Sequence, residues 1–205
     1  VSGQNVKLVN GTQAIVYKSG GVTQYLPIPP AFVGGADWMQ DKVKHCAVAI
    51  WQGVKGTAAN QATGVHYLQN LARTQEACGA NYLDINVDEF STDVEERCQL
   101  MRWTVATVQK AVAIPVSIDS SNVAILRAGL AACDKGRSRP MVNSVSLERQ
   151  EAIAAAAEFG AVVIASAAGE KGLPASLEEK LANIARLMKQ FKAAGFKDGD
   201  IHVDP

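Results

Sequence analysis

From residue 64 onward, the apolar positions of this chain switch repeatedly between two periods. Short, nearly continuous apolar runs at residues 81–87, 116–118, 140–145, 161–165 and 201–203 predict buried strands. Between them the apolar residues keep helical spacing, which predicts helices over 93–112, 122–133, 147–159 and 177–194. A further helix over 65–78 precedes the first strand. Gly79, Gly160 and Gly195 stand just past three of these helices, the position at which a left-handed residue commonly ends a helix. Glu95 and Glu96 stand near the positive end of the 93–112 helix.

Residues 1–41 follow a different pattern. Two β-type runs, 14–18 and 22–26, flank Ser19-Gly20-Gly21, a three-residue connection that signals a hairpin, and Asn10-Gly11 is a second turn signal upstream. Pro27, Pro29 and Pro30 follow. Residues 42–54 read two ways. Val43, Ala47, Ile50 and Val54 keep helical spacing, yet 46–51 is also a continuous apolar run. The expected organisation is an N-terminal hairpin with a Pro-rich extension over 1–41 and one α/β domain over 42–205.

Five strands alternating with helices require a parallel sheet covered by helices. The rival to a barrel is an open dinucleotide-binding sheet, but its G-x-G-x-x-G fingerprint follows none of the five strands. The fold class expected is therefore α/β, a (β/α)8 TIM barrel. Such a barrel needs eight βα units and only five are legible, so the barrel is expected to be incomplete in this chain.

Composition narrows the partners. The 205 residues are 48% hydrophobic and 20% charged, which suits one globular domain or most of a larger one. Basic and acidic residues number 20 each, and no basic block exceeds a residue or two, so nucleic acid and anionic membranes are poor candidates. There is no apolar run of membrane-spanning length and no signal-peptide pattern. Cys46, Cys78, Cys98 and Cys133 are scattered and form no C-x-x-C; they read as small buried hydrophobes in a reducing cytoplasm.

In a barrel the active site lies at the C-terminal ends of the strands, and those ends are polar here. The first strand ends in Asp84-Ile85-Asn86-Val87-Asp88-Glu89, the second in Asp119-Ser120-Ser121-Asn122, the third in Asn143-Ser144 and the fifth in Asp204. The fourth offers only Ser166 and then Gly169. No end supplies a lysine for a Schiff base or a histidine–carboxylate pair with metal spacing, so no metal site is expected. Carboxylates and amides suit a neutral, donor-rich heterocycle. A carboxylate takes two N–H groups of an aminopyrimidinone edge, and an asparagine both donates and accepts.

A simpler account of the same residues stays open. Asp119, Ser120 and Asn143 precede helices, where Asp, Ser and Asn are favoured N-caps, while Asp88 and Glu89 read equally as a solvated loop. His45 and His66 fall on helical segments with no ligand partner at i+3 or i+4. Asp200-Ile201-His202 resembles the start of the D-x-H-x-x-G corrinoid-binding motif. The glycine position holds Pro205 and the context is a strand, so a corrinoid has to come on another domain or chain.

At these strand ends the sequence resembles the pterin-binding methyltransferases, a branch of the dihydropteroate synthase-like barrels. The segments that carry the resemblance are Gly79-Ala80-Asn81-Tyr82-Leu83-Asp84-Ile85-Asn86-Val87-Asp88, Met101-Arg102-Trp103, Ser117-Ile118-Asp119-Ser120-Ser121-Asn122, Met141-Val142-Asn143-Ser144-Val145-Ser146 and Ile201-His202-Val203-Asp204-Pro205. The methyltetrahydrofolate:corrinoid methyltransferases and the folate domain of cobalamin-dependent methionine synthase share this pattern. The resemblance implies that Asp119, Asn143 and Asp204 hydrogen-bond the pterin, Asp204 on its aminopyrimidinone edge, with Asn86 and Asp88 lining the same mouth. It further implies methyltetrahydrofolate or tetrahydrofolate as substrate, a corrinoid (cobalamin) carried by a partner domain or protein, and methyl transfer between folate N5 and the Co(I) corrinoid.

The family's first strand, with a Gly-Glu-x-x-Asn segment, is not found upstream of residue 64, and the asparagine that reaches N5 is expected beyond Pro205. No catalytic residue is therefore assigned. Two alternatives stay open: a dihydropteroate synthase-like pterin enzyme, whose Asp-Ile-Gly-Gly-Glu-Ser strand end is here Asp84-Ile85-Asn86-Val87, and a non-catalytic folate-binding domain. A homodimer is a further expectation.

Overall fold

The computed structural model describes residues 5–170 and 172–205. They fall into two compact units, the described residues up to Cys78 with Lys110–Val112, and those of Gly79–Gln109 with Ala113–Pro205.

The first unit holds an antiparallel meander of β1 (Asn5–Val9), β2 (Thr12–Ser19) and β3 (Val22–Pro27), together with α1 (Ala36–Met39), α2 (His45–Lys55) and α3 (Ala58–Ala77). Both hairpin loops have two residues at positive φ, Asn10 and Gly11 at 48° and 79°, Gly20 and Gly21 at 56° and 80°. That is the backbone of a type I′ turn, whose twist matches the flanking strands. The second loop is one residue shorter than expected, because Ser19 pairs with Val22 inside the ladder. β1 is an additional strand; with Leu8 68% exposed, it lacks the apolar face that makes a strand legible.

The ambiguous segment 42–54 forms α2, with Val48, Ala49 and Ile50 buried. The helix expected over 65–78 starts earlier, at Ala58, where the Thr57 hydroxyl accepts from the Asn60 N–H at 3.4 Å. Small and polar residues in that first turn hide its period. Both histidines are engaged within this unit, His66 Nδ1 with the Tyr17 hydroxyl at 2.7 Å and His45 Nδ1 with the Tyr67 hydroxyl at 3.0 Å.

The second unit is a parallel sheet of β4 (Leu83–Asn86), β5 (Val116–Asp119), β6 (Met141–Val145), β7 (Val162–Ser166) and β8 (Ile201–Asp204), in that spatial order. Helices α4 (Val94–Gln109), α5 (Val123–Ala132), α6 (Glu151–Glu158) and α7 (Leu177–Ala193) follow the first four strands. A doubly wound sheet reverses its strand order at a switch point. Here every strand lies beside its successor, and right-handed crossovers put successive helices on one side. This is the winding of a (β/α)8 barrel, represented in this chain by five strands.

Period-two alternation sorts the two faces of that sheet. Leu83, Ile85, Val116, Ile118, Val142, Val163 and Ala165 are buried on the helix side, with Met101, Val105, Ile125, Leu126, Leu187 and Phe191 in the helical layer. α5 lies especially close to β5: a Cβ on Gly129 would stand 2.6 Å from Ile118 Cγ2 and 2.9 Å from Met101 Cγ. The helix expected from residue 147 begins at Glu151 instead. Residues 147–150 form a turn, closed by Arg149 N–H on the Ser146 carbonyl at 3.0 Å, and the buried Leu147 extends the apparent period backwards. All four cysteines are free. The buried reading fits Cys98, whereas Cys46 and Cys78 are exposed, because each sits on an outward position of its segment. No helix among the described residues is long and apolar enough to cross a membrane.

Candidate functional site

The inner face of the sheet carries the alternate residues, and towards the carboxyl ends these are polar. Register sets Asn86, Asp119 and Asn143 side by side on β4, β5 and β6. Ser166 and Asp204 are likewise abreast on β7 and β8. A bulge in β6 between Val142 and Val145 keeps both valines buried on the helix side while Asn143 faces inward. The residues singled out at the strand ends thus share one edge and one face.

Hydrogen bonds fix the polarity of this row. Asn86 Nδ2 donates to Asp119 Oδ2 at 2.9 Å, and Asn86 Oδ1 accepts from the Asp88 N–H at 2.8 Å. A backbone donor on one side and a carboxylate on the other leave the amide one orientation. Asn143 Nδ2 donates to Asp84 Oδ1 at 3.2 Å. Each amide therefore spends N–H capacity on a carboxylate, while Asp119 Oδ1 and Asn143 Oδ1 accept no hydrogen bond among the described residues. The edge they present is rich in acceptors.

Capping does not explain Asp119 or Asn143. The cap of α5 is Asn122, whose Oδ1 accepts from Ala124 N–H at 2.9 Å, and α6 starts with no side-chain cap. Asp93 serves α4, accepting from Glu95 and Glu96 N–H at 2.8 and 3.3 Å. Ser120 belongs to the loop lattice: its hydroxyl accepts from Asn122 N–H at 3.1 Å and donates to Asp88 Oδ1 at 2.6 Å. Asp88 also takes the N–H and hydroxyl of Ser121, at 2.8 and 3.0 Å. It lies at the mouth, but its carboxylate is occupied. Asp204 is exposed, and Ala167 N–H donates to its backbone carbonyl at 3.0 Å.

The two neighbouring carboxylates titrate in opposite directions. Burial pushes Asp119 above the usual carboxylate range, helped by the negative Asp84 and Asp88 and opposed by the Asn86 bond and Arg149. Burial also pushes Asp88 upward, but the bonds from Ser120 and Ser121 and the positive Arg97 outweigh it and hold it below that range.

Arg97 and Arg149 are the residues that sequence reasoning missed. Arg97 stands 3.7 Å from Asp88, and Arg149 Nη2 donates to Ser144 Oγ at 2.9 Å. A base in the first turn of α4 opposes the helix dipole, a signal that a carboxylate compensates nearby; nothing in the sequence marks Arg149. His202 sits on the inner face of β8 beside Ile164, and Asp200 is paired with Arg139. No group of three or more His, Cys, Asp or Glu among the described residues could hold a metal ion.

An acceptor row at the carboxyl edge of a sequentially wound parallel sheet is the arrangement of a ligand-binding (β/α) barrel. Residues 60–205 match the family described as pterin binding enzyme, and the chain belongs to that family. It is 27% identical over 144 residues to the methylcorrinoid:tetrahydrofolate methyltransferase of Eubacterium limosum, an alignment covering 68% of this chain and 51% of that one. Its fold is that of the dihydropteroate synthases. The enzyme from Stenotrophomonas maltophilia superposes with a TM-score of 0.57 at 23% identity, over 70% of this chain and 56% of that one. The enzyme from Vibrio fischeri gives 0.55 at 15% identity, over 70% and 54%. The chain thus spans about half the length of these relatives.

Proposed function

We propose that the protein moves a methyl group between N5 of methyltetrahydrofolate or tetrahydrofolate and the Co(I) corrinoid of a partner protein. The observation that carries this reading is the fixed polarity of the row: Asp119 and Asn143 offer acceptors to a ligand edge rich in N–H groups, as an aminopyrimidinone is. Asp119, Asn143 and Asp204 hydrogen-bond the pterin, Asp204 on the aminopyrimidinone edge, and Asn86 and Asp88 line the mouth. The Eubacterium limosum relative supports methyl transfer over pterin condensation, as does Asp84-Ile85-Asn86-Val87 in place of the synthase strand end.

A Co(I) corrinoid bound to the partner would supply the nucleophile that takes the methyl carbon as the C–N5 bond breaks; the electron pair of that bond would stay on N5, which would take a proton from solvent. The residues of this chain bind and orient the pterin and offer no covalent nucleophile. On this reading residues 42–205 form the pterin-binding domain and 1–41 an extension. The setting is cytoplasmic, and the partners are folate, a corrinoid protein and a second copy of the chain.

Calorimetric titration with methyltetrahydrofolate, followed by methyl-transfer assays with a corrinoid protein, tests the proposal. Binding and transfer are expected. Turnover of a pterin pyrophosphate would move the protein to the synthases, and folate binding without either reaction would make it a binding domain.

A further inference from the structure

One carboxylate joins the loop after β4 to the loop after β5. Asp88 Oδ1 takes the Ser120 hydroxyl at 2.6 Å, and Oδ2 takes the N–H and hydroxyl of Ser121 at 2.8 and 3.0 Å. Arg97 Nη1 stands 3.7 Å away on a side chain only 14% exposed, and its Nε is buried without a hydrogen-bond partner. Three hydrogen bonds occupy three of the roughly four lone-pair sites of a carboxylate, and the guanidinium faces Oδ1, where the fourth lies, so Asp88 is turned towards its own loops rather than towards a ligand. Its side chain is 20% exposed, which excludes a merely solvated loop residue.

Asp88 reaches Asp119 along two routes. Its N–H holds Asn86 Oδ1 at 2.8 Å, which turns Asn86 Nδ2 onto Asp119 Oδ2. Its carboxylate holds Ser120, the residue directly after Asp119. One residue therefore fixes both the hydrogen-bond partner and the chain neighbour of Asp119.

We propose that Asp88 is a positioning residue, which orients Asp119 with one oxygen tied and the other open, and is not itself a ligand contact. The inference deepens the proposed function and rests on it only for the identity of the ligand.

The charged groups facing Asp119 are Asp84 from β4, Asp88 from the β4–α4 connection and Arg149 from the β6–α6 connection, with Arg97 of α4 behind Asp88. Asp88→Asn removes a like charge and leaves Arg97 unpaired, and both changes favour ionised Asp119. Its titration, followed by carbon NMR of the side-chain carboxyl in the ligand-free protein, should move to lower pH. Loss of the like charge alone moves that titration, so Ser121→Ala, which keeps every charge, is titrated in parallel: there a purely structural role would lower the melting temperature and leave Asp119 unmoved. Methyltetrahydrofolate affinity should fall about ten-fold in the same variant, the scale of one charge-assisted hydrogen bond.

Ser121→Ala keeps the charge and the backbone donor but loses one hydroxyl bond, and should cost about five-fold in affinity. An unmoved Asp119 titration in folded Ser121→Ala overturns the proposal, and so does affinity within about two-fold of native in both variants. Should Asp88→Asn not fold, Ser121→Ala decides alone. If the native protein binds no methyltetrahydrofolate, the proposed function falls, while the NMR titration still decides the positioning role.

Discussion

At β4, β5 and β6, the inward side chains Asn86, Asp119 and Asn143 are abreast and tied into a lattice with Asp84 and Asp88. At β7 and β8, Ser166 and Asp204 are also abreast, but Asp204 is exposed and its carboxylate has no hydrogen-bond partner among the described residues. Solvation separates the two ends at Asp119 and Asn143, which are half-buried, whereas Asp84 and Asn86 are exposed like Asp204 and are held by their hydrogen bonds to those two. A half-buried polar group loses water and must find protein partners or raise the energy of the fold. Those partners then set its direction before any ligand arrives, which lowers the ordering cost of binding. An exposed carboxylate keeps its water and orients only when a ligand pairs with it. One half of the edge is thus a preset template and the other an adjustable contact.

The sharpest way to break this contrast is mechanical. At its end β7 is held to α7 by the buried Asn183, whose Nδ2 donates to the Ala167 carbonyl at 2.9 Å, and by apolar packing, where Leu187 and Phe191 are fully buried and Phe191 meets Phe196 edge-on with centroids 5.4 Å apart. Phe191→Ala should therefore cost about 3–5 kcal/mol of stability, read from denaturant unfolding. A loss well below that range would show that something other than α7 packing holds this half.

Next in size is Asp119→Asn, which removes the charge from the template. Methyltetrahydrofolate binding should weaken by about 1.5–3 kcal/mol, roughly 10- to 150-fold. Melting should change much less, because Asp119 caps no helix. Unchanged affinity would remove Asp119 from the site. Asp204→Asn makes the parallel test in the open half, with an expected loss near ten-fold and an unaltered melting curve. A matching loss of stability there would mean that Asp204 is tied after all.

The smallest effect is on pH dependence. Asp119 has a raised folded pKa, so its contribution to stability is present below its unfolded value and is lost as pH rises through the folded one, above the ordinary carboxylate value. Asp88 has a depressed folded pKa, so its contribution is present above the unfolded value and is lost as pH falls through the folded one, below the ordinary carboxylate value. The two partly cancel in the native protein. In Asp119→Asn only the Asp88 contribution remains, so chemical unfolding between about pH 3 and 5 should show a steeper loss of stability on acidification than in the native protein. An identical slope would mean that the two carboxylates do not differ in the folded state.

Much of this architecture is written in short stretches of chain. The alternation of apolar runs with helical periods, and glycines with φ of 92°, 62° and 89° at residues 79, 160 and 195, mark the βα units from a few consecutive residues each. Strand ends can be read for the same reason: an apolar stretch stops where side chains leave the core, which exposed Asp84, Asp119, Asn143 and Asp204 as candidates. Where the local signal is weak, as in β1 and the first turn of α3, or misleading, as at Leu147, the element boundaries were misjudged. The division of labour within the site lay wholly beyond local reading. Whether Asp119 or Asn122 caps α5, whether Asp88 faces a ligand or braces a loop, and where Arg97 and Arg149 point depend on contacts between separate elements. Asp88 and Ser120 stand 32 positions apart, and Asn143 and Asp84 stand 59 apart. Such partners meet only once strand register and helix packing have placed them, because propensity acts on neighbours in the chain whereas a hydrogen bond acts on neighbours in space.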